Sequence, residues 1–228
     1  MRRSPRRAEA LSRERIVEAA VELLDAAGEG GLTFRALTER LATGPGAIYW
    51  HVANKGELLG AATDAVVAAA LVIEPAGSPD SPPRDRIRAV ALGLFDAIEE
   101  HPWVAAQLST GSYQSTTPRI FESIGRQVRA LGVPESSQFT AASVLVEYIL
   151  GAAAQNAANA AKARTLADVD RGEFLDAVSR AWAELDPDDY SFTRTVADQL
   201  REHDDRAEFL AGITLVLAGI TAVHDAGH

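Results

Sequence analysis

The chain has 228 residues, 47% of them hydrophobic, enough to bury a substantial core in one or two domains. Cysteine is absent, which excludes disulfide frameworks, thiolate metal sites and cysteine nucleophiles, and no apolar run approaches the roughly 20 residues that a membrane-spanning helix needs. The net charge of −10 speaks against nucleic acid, but residues 1–60 carry 9 Lys/Arg against 8 Asp/Glu, so nearly all the excess acid lies beyond them.

Helical periodicity dominates and strand signals are almost missing. Residues 1–11, with Arg2, Arg3, Arg6 and Arg7, read as a basic arm. No apolar stretch follows them as in a secretory signal, so a cytoplasmic location is expected. Ser12 caps a first helix to about Ala27, with Ile16, Ala20, Leu23, Leu24 and Ala27 on one face, and Gly28 stops it. Thr33 caps a second, short helix, Phe34 to Leu41. Gly44-Pro45 opens a third to about His51, proline suiting a first helical position because its missing N–H had no partner there. Asn54 caps a fourth, and Glu57 three residues later completes a capping-box pattern; this helix runs to about Ile73.

Residues 74–83 hold four prolines and form the best boundary. Beyond it the pattern predicts a helix from Pro83 to about His101, a short one to Thr110, one from Thr117 to the stop at Gly132, and a long one from Ser136 or Ser137 to about Arg164. Helices Glu173–Leu185 and Ser191–Glu202 come next. Asp204 or Asp205 caps a last helix whose Phe209, Ile213, Val216, Leu217 and Ile220 form an apolar stripe. The expectation is an all-α chain: an N-terminal three-helix helix-turn-helix domain within residues 12–73, then a larger helical domain over 82–228.

The third helix carries the chemistry. Small residues lead (Pro45, Gly46, Ala47) and large polar aromatics follow (Tyr49, Trp50, His51). The end of a recognition helix must enter a major groove about 12 Å wide, where small side chains fit and can touch a thymine methyl. Tyr49, Trp50 and His51 reach phosphates and sugars, and Lys55 can neutralise a phosphate. Thr33 and Arg35 stand at the start of the second helix, a natural phosphate site.

Together, Ile16-Val17-Glu18-Ala19-Ala20, Gly31-Leu32-Thr33, Leu37 with Leu41, Pro45 through His51, Asn54-Lys55 and Leu58-Leu59 resemble the DNA-binding domain of the tetracycline-repressor (TetR) family. The resemblance covers residues 12–59. It implies DNA contact by Thr33, Arg35, Thr43, Pro45, Gly46, Ala47, Tyr49, Trp50, His51 and Lys55, with Ile48 buried. The chain departs from the family at Ala42-Thr43-Gly44, where a turn glycine and a hydroxyl cap are usual.

The resemblance also implies that the second domain binds a small-molecule effector and dimerises. Glu208 through Ile220 resembles the family's closing helix, and Ala141 to Ala163 is rich in small residues that allow close helix approach. Helices near 137–164 and 205–224 are therefore expected at a homodimer interface, and a charge at Ile213 or Leu217 is expected to give monomers. Effector candidates, combining aromatic surface with hydrogen-bonding groups, are Trp103, Gln107, Tyr113, Phe121, Phe139, Tyr148, Gln155 and Asn156. The amides Gln155, Asn156 and Asn159 need partners if buried. Trp103 to Thr110 contains no histidine, so magnesium–tetracycline sensing in the manner of that branch is not expected.

Two rival readings carry less. An enzyme finds no support in five scattered histidines (His51, His101, His203, His224, His228), without metal-ligand spacing, a Walker loop or a Gly-x-Ser-x-Gly elbow. No cofactor, metal or membrane partner is expected. A non-specific architectural DNA binder would need more local positive charge than residues 1–60 supply. The expected function is that of a ligand-responsive, sequence-specific DNA-binding regulator, a repressor released from its operator by a small molecule.

Overall fold

The computed structural model describes residues 11–72, 81–110, 116–165 and 170–225, and among them every regular element is a helix. The arginine arm, Tyr113 and most of the proline-rich boundary lie outside the described residues.

Four helices build the head: α1 (Arg13–Gly31), α2 (Phe34–Leu41), α3 (Pro45–Tyr49) and α4 (Lys55–Val72). Ser12 caps α1, its hydroxyl accepting from the Arg15 N–H at 3.3 Å. Gly28 takes φ 62°, ψ −168° and breaks the helix where the sequence placed its stop, and one further helical turn extends to Gly31. The capping box at α4 forms with a shift of one residue. Asn54 Oδ1 accepts from the Glu57 N–H at 2.9 Å, while the Glu57 carboxylate accepts from the Ala53 N–H at 2.8 Å. That backbone bond holds the Glu57 carboxyl below its ordinary pKa. Ile16, Ala20 and Leu24 of α1, Leu37 of α2, Ile48 of α3 and Leu58 of α4 close a core of their own.

The body comprises α5 (Pro83–Glu100), α6 (Trp103–Thr110), α7 (Thr116–Ala130), α8 (Glu135–Thr165), α9 (Arg171–Ala183), α10 (Ser191–Val196), a 3-10 turn (Ala197–Glu202) and α11 (Asp205–Asp225). The single helix expected over 191–202 is thus an α-helical turn and a half that tightens into 3-10 geometry. Helix α5 is the central post: it packs against α4, α6, α7, α8 and α11 and buries Ile87, Ala91, Leu94 and Ile98 completely or nearly so. By contrast, α9, α10 and the 3-10 turn pack chiefly on one another. Arg171 ties this unit to α11 through Asp205 at 2.8 Å.

Two glycines mark places where helices meet without clearance. A Cβ on Gly93 of α5 would lie 2.7 Å from the Ala70 carbonyl oxygen, so α4 crosses α5 backbone to side-chain-free backbone. A Cβ on Gly212 of α11 would collide with the Tyr148 hydroxyl. The Tyr148 ring from α8 fills that notch, donates to the Phe209 carbonyl at 3.2 Å and stacks on the Phe209 ring.

The apolar stripe of α11 corrects one expectation. Phe209, Ile213 and Leu217 are buried inside the subunit against α5 and α8, at 2%, 0% and 1% exposure. They form the intramolecular seam, and a charge there strikes the body core. A second stripe, Ala211, Leu215, Ala218, Gly219 and Ala222, faces outward, with Leu215 74% exposed. On α8, Val144, Gly151 and Ala158 are likewise exposed. Periodicity gave α11 one apolar face because the second is made mostly of alanine and glycine, which carry little hydrophobic signal.

Candidate nucleic-acid interface

Helices α2 and α3 are joined by a tight turn. Thr33 caps α2 by accepting from the Ala36 N–H at 3.1 Å. Ala42 ends it at φ 49°, ψ 47°, the left-handed conformation that usually falls to glycine. The substitution at the family's turn glycine therefore leaves the turn intact but puts an alanine in a strained conformation. The Thr43 N–H then bonds back to the Thr38 carbonyl at 3.1 Å. Gly44 precedes α3 without any side-chain cap, and Pro45 occupies the first turn.

Helix α3 divides its residues sharply. Ile48 is fully buried in the head core. Pro45, Gly46, Ala47, Tyr49 and Trp50 are exposed, Trp50 at 89%. The Tyr49 ring stacks on Phe34 of α2, centroids 4.4 Å apart and planes 17° from parallel, which fixes its direction. His51 is half-buried just beyond the helix. A Cβ built on Gly44 or Gly46 meets nothing within 4 Å, and neither residue has a positive φ. Glycine in a helix costs about 1 kcal/mol relative to alanine. Nothing among the described residues accounts for Gly46, whereas a close approach by an outside surface would.

The basic candidates are less free than the sequence suggested. Arg35 is 89% exposed at its side chain but pairs with Glu39 one turn on, at 2.9 Å. Lys55 donates to the Glu29 carbonyl at 2.7 Å and lies 3.8 Å from the Glu29 carboxylate, pinning α4 to the end of α1. Arg40 pairs with Glu22 across the head. Exposed pairs of this kind are weak.

The effector candidates make their contacts at several separate places among the described residues. Trp103 Nε1 donates to Asp25 at 2.8 Å, and Gln107 leans toward Glu29 at 3.5 Å; both face the head. Phe121 and Phe139 pack on each other, Phe139 remaining 73% exposed. Tyr148 is committed to the Gly212 notch. Gln155 is exposed and donates to Asn159 at 3.0 Å, and Asn156 is half-buried, so these amides do not form a buried trio. A small cavity of about 100 Å³ does lie between α5, α6 and α8, lined by Ile98, Ala105, Leu108, Leu150 and Gly151 among others.

The sequence reading missed Asp25. Its Oδ1 receives the Trp103 indole N–H and lies 2.7 Å from His101 Nδ1, so one exposed carboxylate of α1 holds the start of α6. Trp103 and Val21 pack against both cores. No local signal marks such a joint, because its partners stand more than seventy residues apart in the chain.

A helix-turn-helix head carried on an all-helical body is the class that this geometry defines. Family models match both parts: the bacterial regulatory proteins of the tetR family over residues 16–62, and the tetracyclin repressor-like C-terminal domain over residues 78–224. The chain belongs to the TetR family of bacterial regulatory proteins. A similar solved structure is the transcriptional regulator SCO7222, a TetR from Streptomyces coelicolor. It is 65% identical with a TM-score of 0.84, over 94% of this chain and 99% of that one. A curated HTH-type transcriptional regulator of Saccharopolyspora erythraea is 32% identical over 62% of this chain, and the match spans 59% of that relative's length. The structure of BioQ with its natural double-stranded DNA operator is 28% identical with a TM-score of 0.56, over 93% of this chain and 99% of that one.

Proposed function

We propose that this chain is a homodimeric, sequence-specific DNA-binding transcriptional regulator, a repressor released from its operator by a small molecule. The observation that carries the reading is the outer face of α3: Trp50 almost wholly exposed, Tyr49 braced by Phe34, and Gly44 and Gly46 open without internal need. Exposed aromatics beside a stretch that offers no steric bulk suit insertion into a major groove. The match to BioQ, whose structure holds its operator, supports the same reading.

In this reading the head is residues 12–73 and the body 82–228. Pro45, Gly46 and Ala47 approach base edges; Thr33, Arg35, Thr43, Tyr49, Trp50, His51 and Lys55 hold sugar and phosphate. Two copies join through α8 and α11, covering the exposed Leu215 and Val144 stripes, and the two heads read half-sites one or more helical turns apart. The effector enters the body among its middle helices, where the cavity between α5, α6 and α8 lies. The dimer has two arrangements that differ in head separation, and the effector favours the one that does not fit the operator. Helix α4 belongs to the head core at Leu58 and to the body at Ala70, so it carries the change.

The test is selection of sites from random duplex DNA at about 150 mM salt, where phosphate-only binding is weakened, followed by footprinting. A palindrome with two protected half-sites is expected. Retention that depends on salt alone, with no enriched sequence, overturns the proposal.

A further inference from the structure

A second concavity lies outside the effector region, at the joint between head and body. It is a groove of about 640 Å³ between α1, α4 and α5, and it shares no lining residue with the cavity between α5, α6 and α8. Its size falls in the range of small-molecule sites. Val17 and Val21 from α1, Val66 and Ala69 from α4, and Ala97 from α5 form its apolar floor. Glu18, Glu22, Asp96 and Glu100 stand on its rim, and among the described residues no lysine or arginine lines it.

The charges are unevenly answered. Glu22 is paired with Arg40, and Asp96 with Arg206. Glu18 and Glu100 are exposed and have no ion pair among the described residues. The one basic ring in the lining, His101, is turned to Asp25 through Nδ1. None of the lining comes from α8 or α11, so the faces assigned to a partner copy leave the groove open.

From an apolar floor bordered by two unanswered carboxylates, we infer that this groove binds a lipophilic cation, its apolar body on the valines and alanines and its charge beside Glu18 and Glu100. Charge complementarity selects the sign, since an anion there would meet the two unanswered carboxylates, with Glu22 and Asp96 already taken by Arg40 and Arg206. An occupant touches α1 and α4 on one side and α5 on the other. It therefore bridges the joint that Asp25 and Trp103 hold, and it is a second input besides the body cavity. Its influence on operator affinity rests on the DNA-binding reading above; its binding does not.

Titration calorimetry on the full chain without DNA compares tetraphenylphosphonium with tetraphenylborate, ions of the same shape and opposite charge. The cation is expected to bind and the anion to bind at least tenfold more weakly. The double variant Glu18→Gln/Glu100→Gln should weaken the cation about fivefold, the scale of two exposed charge contacts, and leave the anion no weaker. Ala69→Phe, at an exposed position on α4, fills the groove and should abolish cation binding. Equal binding of the two ions, no binding of the cation, or cation binding that survives both variants overturns the inference. The operator is then titrated with and without the cation: an unchanged affinity while the cation binds separates failure of the coupling from failure of the site.

Discussion

The head closes its core within residues 16–62, from four helices that follow one another in the chain, while the body assembles its core from residues as far apart as Val66 and Leu217. In the head each buried position sits at a fixed, short spacing from the next. In the body the same α5 residues serve α4, α7, α8 and α11 together. A short-range core tolerates a sharply specialised surface, because Ile48 anchors α3 whatever its outer residues are. A long-range core leaves its functional cavities to be set by side chains that no local pattern connects.

Substitutions can break this division or sharpen it. The largest effect is expected from Ile213→Asp, which places a charge in the body core and should cost about 3–5 kcal/mol; thermal unfolding should show the body lost at ordinary temperature. Leu215→Asp, two residues on and on the outer face of the helix, should leave the monomer folded and weaken self-association about a hundredfold, the scale of an interface anchor; sedimentation equilibrium reads the difference. If both variants behave alike, the assignment of the two faces of α11 fails.

Tyr49→Ala should weaken operator binding about tenfold or more, while the unfolding midpoint falls only by the lost ring contact, about 0.5–1.5 kcal/mol. Unchanged affinity in a fluorescence titration at physiological salt would remove Tyr49 from the interface. Gly212→Ala must expel the Tyr148 ring from its notch and should destabilise the body by about 1–3 kcal/mol in denaturant unfolding, with the head's capping box and stack untouched. The smallest effect is expected from Ala42→Gly. Relieving a left-handed alanine should stabilise the head by about 1 kcal/mol, seen as a higher denaturant midpoint and not a lower one.

The sequence made the head legible down to its caps. Ser12, Thr33 and Asn54 each accept the backbone bond expected of them, and Gly28 ends its helix. Capping is chemistry between residues three apart, so it survives in a string of letters. The body's helices were also placed to within a few residues, because their apolar faces repeat. What could not be read was which face met what. Tyr148 reads as a candidate ligand-lining aromatic, but its seat over Gly212, a residue marked by nothing except its lack of a side chain, could not be read. Ile213 and Leu217 looked like an interface because they are the strong hydrophobes of α11, and for the same reason the subunit keeps them for itself. Asp25, the carboxylate at the joint, is one acid among many until His101 and Trp103 are brought beside it.

Trp50 has a consequence of a different kind. At 89% exposure on the tip of the head, its indole is bathed in water, whereas Trp103 has its N–H held by Asp25 at the joint and Trp182 is half-covered in the α9 unit. The three differ in setting, so their light does too: the first glows at the red edge of the emission band and is open to quenching by iodide, the others less so. The molecule thus carries its own lamps, one on the face that the proposed function gives to DNA and one where head meets body, and they can be told apart without attaching a dye.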